Sequence, residues 1–471
     1  MKSHFVTALK EEKLLNQNHS QITDPHHRGD DRMENQDSTV LTPRLDISTA
    51  VHDSRAFRGG CLKQYYHIWK EIGAPPHVCQ ILKGMRIPFM LKPPLITPSR
   101  LVLECFKIKE SVLMTQQIEV MLKSQILEEA ETSPSYLSTC FLLPKSDVSL
   151  RPIFNLGKLN EFVKMKEFHL FSHFRVPQFL QNRDWMAKLD LSQAYFHVPI
   201  AGEHGRFLRL SYEGKLLQMT CLPFGLSSAP RTFATVTNCI AEHLRSHNIR
   251  CVVYLDNFMI VNQNRRILYD HIAFAVHFMQ TLGWTINFDK SVLAPTRQLE
   301  FLGILSDTEH STRSLSEPKC TTLRKELQKQ MSKGIWSLKQ AQSLLGRLNF
   351  ATFVIRRGRL HCRTLQYYSR QLPKLHPYQP FQLPEPAVTE MKWWYNAASG
   401  TTPIHSPPFS HLLTTDASDM GWVAQVGQSM IKGQDTETLA CKCQRAICSF
   451  CSNIGKEGSI DPMSHTDPNR Q

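Results

Sequence analysis

The sequence predicts an α+β fold with antiparallel sheet, on three observations. Residues 251–254 and 258–261 are short β-rich runs facing each other across Leu255-Asp256-Asn257. Residues 207–212 and 216–220 alternate around Glu213-Gly214, a second hairpin signal. After about residue 313 the strand patterns give way to helical ones, with Ser337 as N-cap ahead of Leu338, Ala341, Leu345 and Leu348.

The other elements follow along the chain. Residues 1–56 are polar, with Phe5 the only aromatic before Phe57, and bury too little to offset their ordering entropy, so a disordered tail is expected. Leu62, Tyr65, Tyr66, Trp69 and Ile72 recur at helical spacing before Gly73, and a second helix follows Ser111 with Ile118, Met121 and Leu122 on one side. Prolines between 75 and 98 break the chain into short pieces. Strands over 139–143 and 151–155 flank a turn at Ser146-Asp147, and a strand over 186–191 carries Asp190 at its end. Helices are expected over 228–244 and 268–282, the latter ended by Gly283. Arg347, Arg356, Arg357, Arg359 and Arg363 make the later helical stretch basic, which suits a solvated face and also a nucleic-acid backbone. A Pro-rich linker is expected over 373–408, then a strand over 411–415 that ends at Asp416.

Bulk properties narrow the class. The 471 residues carry a formal charge of +14, which favours a polyanionic partner such as nucleic acid over none. Thirteen cysteines, an odd number in a long chain, point to reduced thiols in an intracellular compartment. The first residues show no secretory signal, and no apolar run is long enough to span a membrane, so neither secretion nor a membrane partner is expected.

Two aspartates carry the chemistry. Transfer of a nucleotide to a primer 3′-hydroxyl needs two divalent cations roughly 3.5–4 Å apart, and Mg²⁺ prefers hard oxygen ligands. The minimal signature is therefore two carboxylates brought together from different strands. Asp190, at a strand end, and Asp256, on a hairpin turn, fit it, although a strand-terminal Asp is more often a turn residue or a helix cap.

The surrounding motifs raise that reading. Ala187-Lys-Leu-Asp-Leu-Ser-Gln-Ala-Tyr-Phe196 resembles the first palm motif of reverse transcriptases, Leu222-Pro-Phe-Gly-Leu-Ser-Ser-Ala-Pro230 the second, and Tyr254-Leu-Asp-Asn257 stands in place of the third. Leu282-Gly-Trp-Thr-Ile-Asn-Phe-Asp-Lys-Ser291 and Leu299-Glu-Phe-Leu-Gly303 resemble the fourth and fifth. The resemblance covers about residues 59–365. The segment ending Ile87-Pro-Phe89 and the Arg-rich helices most resemble the DIRS-type, tyrosine-recombinase retrotransposons.

This resemblance implies a right-hand polymerase of fingers, palm and thumb, with an antiparallel palm sheet. It places a helical fingers extension at 57–125, fingers and palm at 126–308 and thumb at 309–372, and a partial ribonuclease H-like segment at 409–471. It implies an RNA-directed DNA polymerase of a retroelement, in nucleus or cytoplasm, acting on an RNA or DNA template with primer and on dNTPs. Two Mg²⁺ ions, with Mn²⁺ as an alternative, would be held by Asp190, Asp256 and Leu191. Lys145 and Arg151 would meet the triphosphate, where cations neutralise phosphate charge. Tyr195 would close off the 2′-hydroxyl, and Phe224 and Gly225 would lie against the nucleotide. Lys290 would assist proton transfer, and Phe301, Leu302 and Gly303 would grip the primer. The plain alternatives are solvated cations, a core tyrosine and an ordinary strand end.

Several positions depart from the family. Asn257 stands where a second Asp is usual and lacks its charge, so a weakened polymerase is expected. Asn155 and Asp147-Val-Ser149 replace an Asp and an Asp-Gly-Gly turn. Thr415-Asp416-Ala-Ser-Asp-Met-Gly-Trp422 resembles the opening of a ribonuclease H domain, but only Asp416 matches firmly and Glu437 is a poor second, so no ribonuclease H activity is expected. Cys441, Cys443, Cys448 and Cys451 could in principle bind zinc, though their spacing is not that of a standard finger. The competing readings are a catalytically impaired nucleic-acid-binding relic and an unstable fragment of a decayed element.

Overall fold

A computed structural model describes residues 56–99, 112–144, 150–405, 413–418, 421–426 and 429–433. The tail expected before residue 56, the Ser146-Asp147 turn and the four C-terminal cysteines lie outside them. The chain forms two compact units, Met1–Phe171 with Met186–Pro295, and Ser172–Trp185 with Thr296–Gln471.

In unit 1, α1 (Tyr66–Glu71) and α2 (Pro76–Lys83) carry the first core residues. Trp69 is fully buried and its indole N–H donates to Leu282 O at 3.0 Å, which ties this N-terminal segment to residues far along the chain. Next come α3 (Val112–Lys123), β1 (Leu127–Glu129), and the antiparallel ribbon of β2 (Thr139–Pro144) and β3 (Leu150–Asn155). β4 (Trp185–Asp190) follows, then the hairpin of β5 (Arg209–Tyr212) and β6 (Lys215–Met219), with β1 added on the far side of β6. That hairpin turns through Glu213 and Gly214, both at positive φ, as a two-residue turn requires.

The sheet that matters for function has the order β7-β8-β4-β9, from β7 (Arg250–Tyr254), β8 (Asn257–Asn262) and β9 (Val292–Thr296) around β4. Two helices pack against it. α4 (Ala229–Ser246), which precedes β7, buries Phe233, Val236, Thr237, Ile240 and Leu244, one stripe at helical spacing. α5 (Arg265–Thr281), which follows β8, is capped by Asn264, whose side chain accepts from the N–H groups of Arg266 and Ile267.

Unit 2 opens on a meander of β10 (Gln298–Phe301), β11 (Ile304–Asp307) and β12 (Thr312–Leu315). α6 (Glu317–Lys333), β13 (Ile335–Trp336), α7 (Leu338–Ala351) and α8 (Arg363–Gln371) follow. Ser337 caps α7 as expected, in a full capping box with Gln340. β14 (Phe381–Gln382) pairs with β13, and β15 (Thr401–Pro403) pairs with β12. β16 (Leu413–Ser418), β17 (Gly421–Val426) and β18 (Ser429–Gly433) form an antiparallel sheet.

The expected linker over 373–408 is a correction. It contains helix α9 (Glu385–Ala397), whose Ala387, Met391 and Trp394 are buried in the core of unit 2. Its prolines misled: Pro384 and Pro386 sit at the helix N-terminus, where a missing N–H costs nothing. The packing also divides the chain differently from the expected boundaries. Residues 57–125 belong to unit 1 with the β7-β8-β4-β9 sheet, and the break falls after Pro295 rather than at 308. Residues 172–185 join unit 2 because Thr308 donates through Oγ1 to Asp184 O at 2.6 Å while its carbonyl accepts from Arg183 N–H at 2.9 Å. β16 also continues past Asp416 to Ser418 rather than ending there.

Candidate active site

The site is built where β4 ends and the β7–β8 hairpin turns. Asp190 is the last residue of β4 and Asp256 lies on the turn before β8. The Leu191 N–H donates to Asp256 O at 3.1 Å, so main chain fixes the two carboxylate-bearing residues side by side. A third segment completes the frame. Asn287 N–H donates to Asp190 O at 2.8 Å, and Ser192 N–H to Thr285 O at 2.9 Å. Ser291 Oγ accepts from the Asp190 N–H at 3.0 Å while donating to Asn287 O at 2.7 Å.

Electrostatics mark the pair. Burial, then the charge of Asp256, holds the Asp190 carboxyl above its ordinary value, against Lys290, Lys188 and a hydrogen bond from Asn287. Burial also raises Asp256, opposed by its own N–H, the Asn257 amide and Lys290. Asn257 Nδ2 donates to Asp256 Oδ1 at 3.3 Å, so the amide steadies this carboxylate instead of adding a third charge. Lys290 is exposed on the rim, its N–H turned back to Asn287 Oδ1 at 3.3 Å. Among the described residues no group of three or more His, Cys, Asp or Glu is placed to hold a metal ion. What remains is a two-carboxylate site of hard oxygens, whose crowded negative charge fits a divalent cation.

The turn that carries Asp256 is strained. Leu255 has φ of +54°, in the left-handed region that favours glycine. Gln193, just past Asp190, sits at +52° and starts the single helical turn Ala194–His197. Tyr195 on that turn is buried, stacked on Phe224 at 4.8 Å and tilted against Phe233 at 4.8 Å. Burial, with Asp256 and Tyr254 nearby, pushes its phenol up to about 12, so it remains a neutral hydroxyl. Gly225, beside Phe224, is exposed at φ +94°, and a Cβ there would lie 3.1 Å from Phe154 O. Asp190, Leu191, Tyr195, Phe224, Gly225, Asp256, Asn257 and Lys290 therefore belong to one unit.

The other expected residues lie elsewhere. Lys145 is outside the described residues, and Arg151 is placed only by its backbone on β3, paired with Leu143. Phe301, Leu302 and Gly303 lie on unit 2, at the tip of the β10–β11 hairpin; Leu302 and Gly303 both have positive φ, as the two-residue turn demands. Asp416 is on β16, paired with Val423.

Three residues had not been singled out from sequence. Asn160 clamps the Gly225 loop, its Nδ2 donating to Gly225 O at 2.9 Å and its Oδ1 accepting from Ser227 N–H at 2.8 Å. Ser291 holds the Asp190 backbone as above. His197 is fully buried between Trp284 and Phe57. Its Nε2 accepts from Thr285 N–H at 3.1 Å and its Nδ1 lies 3.3 Å from Ala194 O, a pair that fixes the neutral tautomer. The only sequence signal for these was their place inside or beside the motif segments.

Comparison with known proteins agrees with this geometry. Residues 143–305 match the family model described as Reverse transcriptase (RNA-dependent DNA polymerase). Protein P of duck hepatitis B virus (strain China) is 31% identical over 165 residues, which is 34% of this chain and 20% of that protein. The Transposon Tf2-7 polyprotein of Schizosaccharomyces pombe is 23% identical over 192 residues, 40% of this chain and 14% of that one. This chain thus spans a fifth or less of those relatives. Among solved structures, the foamy viral protease-reverse transcriptase in complex with dsDNA superposes with a TM-score of 0.57 at 15% identity, over 84% of this chain and 86% of that one. The same viral protein in complex with an RNA/DNA hybrid gives 0.54. The fold is that of a polymerase.

Proposed function

We propose that this chain, which carries a reverse transcriptase domain over residues 143–305, is an RNA-directed DNA polymerase of a retroelement. The observation that carries the reading is the hydrogen bond from Leu191 N–H to Asp256 O, which fastens the end of β4 to the β7–β8 turn and so brings two half-buried aspartates together. Asp190, Asp256 and the Leu191 carbonyl are the oxygens that would hold Mg²⁺ or Mn²⁺. A metal pair held there would supply charge stabilisation for attack by the 3′-oxygen and for departure of pyrophosphate. The chain's own residues would do the rest. Tyr195, set by Phe224 and Phe233, limits space at the sugar, and Gly225 lets backbone approach the nucleotide. Arg151 and Lys145 suit the triphosphate, Lys290, whose charge is felt by both carboxylates, suits proton transfer, and the Phe301-Leu302-Gly303 tip suits a primer strand.

The motifs of the N-terminal segment and the Arg-rich helices favour a DIRS-type element acting in nucleus or cytoplasm. The β16–β18 sheet with Asp416 suits the start of a ribonuclease H-like segment without nuclease activity. A second reading, a nucleic-acid-binding relic with impaired catalysis, is favoured by one observation: Asn257 supplies an amide where the family has a third carboxylate. Primer extension on an RNA template with dNTPs and Mg²⁺ tests the first reading, with Asp256→Ala as control. Incorporation no faster than the control would overturn the first reading.

A further inference from the structure

One short turn, residues 287–291, grips the backbone of Asp190 on both sides. Asn287 N–H donates to Asp190 O at 2.8 Å, and Asp190 N–H donates to Ser291 Oγ at 3.0 Å. The turn is closed on itself as well. Ser291 donates to Asn287 O twice, from Oγ at 2.7 Å and from its N–H at 3.0 Å, and Lys290 N–H donates to Asn287 Oδ1 at 3.3 Å. A hydrogen bond from the Asn287 side chain reaches the Asp190 carboxyl itself.

The Ser291 hydroxyl stands where a strand would offer a carbonyl. Asp190 ends β4, and β9, its neighbour in the sheet, begins only at Val292. A ladder bond would satisfy the Asp190 N–H equally well, but it would keep the partner strand extended. A side-chain acceptor lets the backbone turn instead, and the turn brings Asn287 to the carboxyl and Lys290 to where its charge is felt. A serine that merely closed the turn would need only its bonds to Asn287. This one also accepts from the residue that bears the first of the two carboxylates. Groups that hold a metal ligand from behind fix its orientation, and losing one costs roughly 10–100-fold in metal affinity or activity.

We propose that Ser291 is a positioning residue of the carboxylate site: its hydroxyl holds the Asp190 peptide against the turn, so that the Asp190 carboxylate keeps the orientation a divalent cation needs. Ser291 touches neither cation nor substrate and acts through Asp190 alone. This role rests on the reading that Asp190 and Asp256 hold divalent cations, but it needs no turnover to be seen.

Binding of Mn²⁺ to the full chain, read from the paramagnetic resonance of the free ion, tests it. Ser291→Ala, which removes the acceptor, should weaken Mn²⁺ binding about tenfold. Ser291→Thr keeps a hydroxyl and should bind as wild type does. In primer extension Ser291→Ala should lower kcat by a similar factor and leave KM for dNTP unchanged, because Tyr195 and Gly225 are held by other contacts; Ser291→Thr should restore kcat. Melting temperatures check folding, and if Ser291→Ala does not fold, Ser291→Cys, of similar size with a weaker acceptor, takes its place. Four results would each overturn this role: Ser291→Ala binding Mn²⁺ as tightly as wild type, Ser291→Thr losing as much as Ser291→Ala, a raised KM with kcat kept, or wild type holding no more Mn²⁺ than Asp256→Asn. The expected Mn²⁺ pattern without any extension by wild type would overturn the polymerase reading and leave the role of Ser291 standing.

Discussion

The Leu191 N–H lies 3.1 Å from Asp256 O, and through that one bond the end of β4 carries the β7–β8 turn. Both carboxylates are held close while being raised by burial, and Asp190 also by the charge of Asp256. Asp190→Asn or Asp256→Asn should lower primer extension by on the order of 10³-fold, the rate equivalent of several kcal/mol of charge stabilisation. Extension rates at saturating dNTP check this.

The same crowding has a stability sign. A carboxyl whose folded pKa exceeds its unfolded value destabilises the fold when ionised, and the penalty disappears as pH falls through the folded pKa. Metal-free Asp256→Asn should therefore melt at or above the wild-type temperature near pH 7, and the gap should close below the ordinary carboxylate range. A lower melting temperature near pH 7 would contradict the assigned direction.

Asn257 should limit metal binding rather than folding. Asn257→Asp places a carboxylate where an amide now donates to Asp256 at 3.3 Å, so the metal-free protein should lose stability. It should regain more on adding Mg²⁺ than wild type does, because ligand binding to the folded state adds stability. It should also extend a primer faster. Equal extension rates would remove Asn257 as a cause of weakened catalysis.

His197 should set an acid limit. Its imidazole is pushed down to about 4 by burial, against backbone hydrogen bonds to Ala194 and Gln193. Its folded pKa lies below the ordinary 6.5, so neutral His197 stabilises above that value, and this is lost as pH falls from about 6.5 towards 4. The full effect is roughly 3 kcal/mol at 1.36 kcal/mol per pKa unit. His197→Gln should flatten the melting-temperature profile over that interval, measured by calorimetry.

Glu390 should matter to unit 2. It is 8% exposed, and its carboxylate accepts the N–H groups of Thr364 at 3.1 Å and Leu365 at 2.8 Å, at the start of α8. Glu390→Ala leaves two buried donors unmet and should cost about 2 kcal/mol. Urea titration followed by tryptophan fluorescence would show it, since Trp394 donates to His361 O beside α8.

The legible parts were local. The β7–β8 hairpin, α4, α5 and the Ser337 cap each declare themselves within a few residues, by alternation, helical stripe or capping box. Asp190 and Asp256 were found because motif order placed them. Asn160, Ser291 and Glu390 were not, because each works on backbone that is distant in sequence: Asn160 bonds across 65 positions and Ser291 across 101. No periodicity encodes such a bond. α9 was hidden for another reason, as prolines that start a helix read like those of a linker.

The contacts around Asp190 are made largely with amides and carbonyls: Leu191 to Asp256, Asn287 to Asp190, Ser192 to Thr285. Such a frame is indifferent to most side chains that ride on it. Thr285 or Ile286 can drift with little effect on where the carboxylates stand. Proline at 191, 192 or 287 would be another matter, for it deletes a donor that no other group replaces. Mutational scanning of this segment should therefore show broad tolerance broken by proline, a pattern of decay in which the shape of the seat outlasts its sequence.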